Sequence, residues 1–190
     1  TAVCNLGSIN LLNHLNEDNA IDYNKFESTI HTAIRILDNV IDLNFYPTKE
    51  ASNSNLKHRP IGLGMMAIHD VLHRMNIKMD SDEAVQFNDE LFEFYSMHAI
   101  YASSLLAQER GSYETYEGSL WSKGVLPIDS YNELMVYKGK QKVAEESITG
   151  KPLTGHGQTY KDWGKVRSHV AEFGMRNSNV MAIAPTATIG

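Results

Sequence analysis

Cysteine is almost missing from this chain: Cys4 stands alone in 190 residues. No internal disulfide can form, which excludes a small secreted domain stapled by bridges and makes a reducing, cytoplasmic setting the expectation. The odd thiol is then either core filling or chemistry. Long apolar runs are missing too, since no stretch approaches the ~18 to 20 uninterrupted apolar residues that a membrane span needs. The first residues lack a signal-peptide pattern. A basic block is also lacking. Seventeen Lys and Arg against 23 Asp and Glu give a net charge of −6, so neither nucleic acid nor a membrane is expected as a partner. The eight histidines offer no cysteine-partnered ligand set, and no metal site is expected among them.

What is present reads as one folded domain. The chain is 42% hydrophobic, and its length suffices to bury a substantial core. It opens on Thr1 and stops at Gly190, just after a turn signal, so it is expected to be a piece of a longer polypeptide.

Thr1 to Leu6 reads as a short strand carrying Cys4, broken at Gly7-Ser8 and followed by a loop or short helix at Ile9 to Leu12. From Asn24 the apolar period lengthens: Phe26, Ile30, Ala33, Ile34, Leu37, Val40 and Ile41 fall three and four apart. That predicts a helix with one buried face, Asn24 and Glu27 at capping-box spacing and Pro47 beyond its end. His58 to Met66 is expected to open a second helix running to about Arg74, with Gly62 and Gly64 allowing close packing rather than cradling a dinucleotide. A long helix is expected from about Asp82 to Arg110, started by Asp80 with Glu83 and stopped by Gly111. Met65, Met66, Met75, Met79 and Met97 read as core packing, not as a cofactor box.

After Gly111 comes an aromatic loop with Tyr113, Tyr116 and Trp121, ending in a helix start near Asp129. Residues 139–160, including Thr154-Gly155-His156-Gly157, read as a polar surface excursion. A last helix, about Lys161 to Phe173, stops at Gly174 and feeds a buried strand from Asn179 to Ala184. Few strands bracket many helices, so the expected class is helix-rich α/β with parallel strands joined by helical crossovers.

The final turn, Pro185-Thr186-Ala187-Thr188-Ile189, combines a strand-ending proline with consecutive N–H groups and two hydroxyls, free of bulk or negative charge. It fits an anion site. By composition alone a plain strand-to-helix connection with Thr as N-cap is the commoner use of such residues.

Four phrases go further than local chemistry. Ala2-Val3-Cys4-Asn5-Leu6-Gly7-Ser8-Ile9-Asn10, Arg59-Pro60-Ile61-Gly62-Leu63-Gly64, Met175-Arg176-Asn177-Ser178 running on to Ala184-Pro185-Thr186-Ala187-Thr188-Ile189, and Ser119 to Asp129 together resemble the large catalytic subunit of ribonucleotide reductase. The last phrase resembles its class I form. The resemblance implies a fragment, residues 1–190, of a ten-stranded α/β barrel. It implies that Cys4 is one of two cysteines that deliver reducing equivalents to the ribose 2′ position and form a disulfide each turnover. It also implies that Pro185, Thr186, Ala187, Thr188 and Ile189 hold the substrate's phosphates. Where many relatives carry a hydroxylated residue this turn has Ile189, leaving the backbone N–H to make that contact.

By the same resemblance the chain itself carries no cofactor. A metal-containing, radical-generating small subunit and the remainder of the large subunit are implied partners, ribonucleotide the substrate, thioredoxin or glutaredoxin the reductant, and the full subunit a homo-oligomer. The second redox cysteine, the radical cysteine and the effector site match nothing between Thr1 and Gly190, so the isolated chain is expected to be inactive. Two other readings stay open: the adenosylcobalamin-dependent form of the enzyme, and a non-catalytic helical module whose last turn binds an anion.

Overall fold

Apolar side chains at helical spacing form the larger part of the chain's architecture, and a small parallel sheet lies against them. The computed structural model describes residues 3–139 and 162–185. In order these are β1 (Asn5–Asn10), a 3-10 turn (Leu11–His14), α1 (Tyr23–Leu43), α2 (Lys49–His58), β2 (Ile61–Met66), α3 (Ile68–Arg74), α4 (Asp82–Arg110), α5 (Pro127–Tyr137) and α6 (Trp163–Phe173).

The two long helices run close to the expected bounds, but each is capped by a residue the sequence signals did not name, Ser81 rather than Asp80 in α4. On α1 the residues Phe26, Ile30, Ile34 and Ile41 are fully buried, and Asp22 rather than Asn24 is the cap, its carboxylate accepting from Lys25 N. Ser81 caps α4 by accepting from Ala84 N, and Gly111, at φ 83°, ends it after 29 residues, about 43 Å at ~1.5 Å per residue. Leu91, Phe94, Tyr95, Ile100 and Leu106 of α4 join the α1 stripe in one core. Phe26 stacks on Phe94 with ring centroids 5.9 Å apart, a favourable offset aromatic contact.

Three expectations are corrected. β1 does not stop at Leu6; it continues through Gly7 and Ser8, which pair with Leu63 and Gly64 of β2, because ladder hydrogen bonds satisfy a glycine's backbone as well as any other residue's. The stretch from Ile61 to Met66 is a strand, and helix begins only at Ile68. Glycines that would weaken a helix are required here by the closeness of neighbouring backbone. The expected terminal strand is an extended segment with a single parallel bridge, Leu63 to Met181. Its hydrogen bonds still continue the sheet: Ile61 N donates to Asn179 O at 3.0 Å, Leu63 N to Val180 O at 3.0 Å, and Ala182 N to Leu63 O at 2.9 Å.

Two smaller points differ as well. α2 escaped the sequence because it buries only Ala51 and Asn55 and so shows no apolar stripe. Met79 is 70% exposed, unlike the buried Met65 and Met97. The class is α/β, with parallel β1 and β2 joined through α1 and α2. Among the described residues the sheet has two strands and one bridge, so the ten-stranded closure is not seen there. Most of the polar 139–160 stretch and the turn Thr186–Gly190 lie outside the described residues.

Candidate active site

Side chains alternate across a strand, so the sheet has two faces of opposite character. Ile9, Ile61, Leu63 and Met65 point into the helical core and are between 0 and 6% exposed. Cys4, Leu6 and Ser8 take the other face, opposite Gly62 and Gly64. This face is floored by glycine for a steric reason. A Cβ at Gly62 would stand 2.5 Å from Leu6 Cδ2 and 2.8 Å from Ala182 Cβ, and one at Gly64 would stand 2.6 Å from the Ala182 carbonyl oxygen. The chain keeps its last ladder bond at Ala182 N and there closes over the two glycines.

That crossing brings Cys4 and Ala182, 178 positions apart, to the same glycine. The Sγ of Cys4 is 3.5 Å, and the Cβ of Ala182 2.8 Å, from the point a Gly62 Cβ would occupy. Cys4 is exposed as a residue, yet its sulfur is partly covered here, and that burial pushes the thiol pKa up. A protonated thiol is the form able to donate a proton. Leu6 and Ile183, 55% and 57% exposed, add apolar surface beside the thiol, and the Ser8 hydroxyl lies over Gly64. Pro185 lies exposed three residues beyond Ala182, while Thr186, Ala187, Thr188 and Ile189 fall outside the described residues.

The crossing segment is held by a buried charge. Asp38 of α1 is fully buried. Its Oδ1 accepts from Arg59 Nε at 2.9 Å and from Asn177 Nδ2 at 3.0 Å, and its Oδ2 from Arg110 Nη1 at 3.1 Å and Arg176 Nε at 3.4 Å. Arg59 also forks onto both oxygens of Asp42 at 2.8 Å, and this hydrogen bond holds the Asp42 carboxyl below its ordinary pKa. Arg59 ends α2 with left-handed backbone, φ 46°, a position that usually selects glycine; here the turn aims the guanidinium at Asp38.

Asn177 is satisfied at both side-chain polar atoms and at its backbone N–H. Its Oδ1 accepts from Ser103 Oγ at 2.9 Å, its N donates to the same hydroxyl at 3.1 Å, and Nδ2 also reaches Arg59 O at 3.1 Å. Next to it, Trp121 Nε1 donates to Ser178 O at 2.9 Å. The aromatic loop thus braces the segment, and a cavity of about 360 Å³ lies between Trp121, Leu126, Pro127 and Asn179.

Sequence reasoning picked out the phrases around Arg59 and Arg176-Asn177 but not the residue on which they converge. The signal was there: Asp38 is a carboxylate one helical turn from Ile34 and Ile41, inside an apolar stripe where a charge needs partners. A second miss is Glu27, His31 and His98, whose ligand-capable atoms lie within 4.8 Å of one another. Glu27 and His31 stand four apart on α1, a spacing readable in the sequence; His98 comes from α4. Burial, then the neighbouring His31 and Lys165, drive the His98 pKa down to about 3, so the ring is neutral.

The arrangement is that of an α/β chain presenting a thiol on an open parallel-sheet face, with the chain's last segment drawn across it. The ribonucleotide reductase barrel-domain family model matches residues 1–190, and the chain belongs to that family. Its curated relatives carry the corresponding names. A ribonucleoside-diphosphate reductase subunit alpha of Chlamydia pneumoniae is 52% identical over 189 residues, covering 100% of this chain and 17% of the relative. One from Helicobacter pylori is 41% identical, covering 100% of this chain and 22% of the relative. The large subunit of Danio rerio is 35% identical over 98% of this chain and 21% of its own length. The chain thus spans about a fifth of the length of the curated relatives it matches.

Proposed function

We propose that this chain forms one wall of the active centre of a ribonucleoside-diphosphate reductase, with Cys4 as one half of a redox dithiol and Pro185 to Ile189 as the phosphate cradle. The observation that carries this reading is the meeting of the Cys4 sulfur and Ala182 over Gly62. It puts a thiol beside the segment that leads into a turn of small, hydroxylated residues. Relatives named as alpha or large subunits support a two-subunit enzyme, in which the metal-containing small subunit supplies the radical.

The chemistry suits these residues. Replacing a ribose 2′ hydroxyl by hydrogen releases water and consumes two electrons, and a dithiol provides them by closing to a disulfide. The raised thiol pKa of Cys4 keeps the proton that the departing hydroxyl takes up. Holding that sulfur on a strand above a glycine floor supplies the fixed orientation such a step needs, and consecutive N–H groups of the turn suit the phosphates. Thioredoxin or glutaredoxin then reopens the disulfide by exchange.

The test is Cys4→Ser in the complete reductase. Multi-turnover reduction with the thioredoxin system should fall at least 100-fold while nucleotide binding stays within threefold. Sustained turnover in C4S would remove Cys4 from the chemistry. Assays with and without adenosylcobalamin separate the two-subunit reading from the cobalamin-dependent one: activity that needs the cobalamin and no small subunit would overturn the former.

A further inference from the structure

Away from the sheet, α1 and α4 enclose a group of side chains that nothing in the reductase reading uses. Glu27, His31 and His98 place one carboxylate oxygen and two ring nitrogens within 4.8 Å of one another. His98 is 7% exposed, and among the described residues neither of its ring nitrogens has a hydrogen-bond partner; the buried Nε2 of His31 has none there either. Such groups are costly to leave dry and unpaired, and one nitrogen of each ring lies near the Glu27 carboxylate, so the spot they share calls for something to fill it.

We propose that Glu27, His31 and His98 bind a divalent first-row transition ion of the Zn²⁺ type, clamping α1 to α4. The donor set is two imidazoles and a carboxylate, the combination that suits such ions rather than Mg²⁺ or Ca²⁺. One edge already has the right length: Glu27 Oε1 lies 3.4 Å from His98 Nδ1, and metal bonds of ~2.0–2.2 Å at tetrahedral angles give a ligand-to-ligand edge of about 3.4 Å. The His31 and His98 rings are 5.7 Å apart between centroids and tilted by 44°, so small side-chain rotations close the remaining edges.

Three protein ligands leave a position open, and it faces a cavity. The space, about 370 Å³, is lined by Glu27, His98, Tyr101, Asp162, Lys165 and Val166. A water from that space completes four-coordination. Lys165 lines the same cavity with its ammonium over the Tyr101 ring, 5.0 Å from the centroid, a favourable cation–π contact that holds it there.

Adventitious binding has an obvious rival location, because His69 and His73 are exposed and four residues apart on α3. The experiment takes the complete protein, stripped with chelator, and titrates it with Zn²⁺ in competition with a chromophoric chelator, then with Co²⁺ followed by visible absorption. One ion per chain is expected, with the intense absorption of tetrahedral Co²⁺. H31Q and E27Q, both half-buried positions on α1, should each weaken it at least 10-fold, as should H98Q, and Zn²⁺ should raise the wild-type melting temperature but not that of H31Q. The double variant H69A/H73A should bind as the wild type does. No saturable site, binding lost in H69A/H73A, or binding retained in H31Q and E27Q overturns the proposal.

Discussion

The side-chain amide of Asn177 donates to Asp38 Oδ1 at 3.0 Å across 139 positions of sequence. One end of that bond lies mid-helix in α1 and the other just ahead of the segment that crosses the glycine floor, so the core of the molecule directly positions the candidate site. Arg59, immediately before β2, and Arg110, at the end of α4, share the same carboxylate. The two strand-forming segments nearest the thiol are therefore referenced to one buried charge.

Asp38→Ala leaves three guanidinium groups around an empty space. Removing one partner of a buried pair typically costs about 3–5 kcal/mol, and Asp38 is fully buried, so a loss of that size is expected in denaturant unfolding. Asp38→Asn keeps the shape and should lose less. A D38A unfolding free energy within about 1 kcal/mol of wild type would show that the network carries little stability.

Gly64→Ala puts a methyl group 2.6 Å from the Ala182 carbonyl oxygen, a backbone atom that cannot swing aside. Overpacking of this kind costs about 1–3 kcal/mol. Displacing residues 181–183 should also raise the Michaelis constant for nucleotide in the complete enzyme more than it lowers kcat. Unchanged KM alongside normal stability would separate this segment from substrate binding.

Acid should destabilise the fold through Asp42. Its folded-state pKa lies below the ordinary 3.8 because of its hydrogen bond to Arg59. A depressed carboxyl contributes stability above its unfolded pKa and loses it as pH falls through the folded value. Glu109, held at about 2 by Arg35 and then Arg110, acts in the same direction but is fully exposed and screened by salt. Melting temperatures at pH 7 and pH 3 should differ less in D42N than in wild type; equal differences in the two proteins rule the Asp42 linkage out.

Trp121→Phe keeps most of the aromatic packing and deletes the bond from Nε1 to Ser178 O, 2.9 Å in the native chain. A net loss of about 0.5–1.5 kcal/mol is expected for one such hydrogen bond, read as a shift in denaturant midpoint at constant m-value. A variant as stable as wild type would show that the brace acts by packing alone.

What the amino-acid order disclosed by itself follows from local physics. The α1 stripe of Phe26, Ile30, Ile34 and Ile41 and the limits of α4 near Ser81 and Gly111 depend on residues within a turn or two of one another, and periodicity and caps report them directly. The thiol at Cys4 and the small-residue turn after Ala184 were visible as residue types. Their meaning came from resemblance, because residue type alone does not say what faces it.

Tertiary structure decided the remainder. Gly62 and Gly64 read as the packed start of a helix, and became strand only where β1 and Ala182 closed on them. Asp38 was an ordinary helical acid until Arg59, Arg110, Arg176 and Asn177 arrived from distant parts of the chain. His98 acquired Glu27 and His31 as neighbours only through the packing of α4 on α1. Each of these depends on which surfaces meet after the chain collapses, and such pairings across many tens of residues leave no period in the sequence to read.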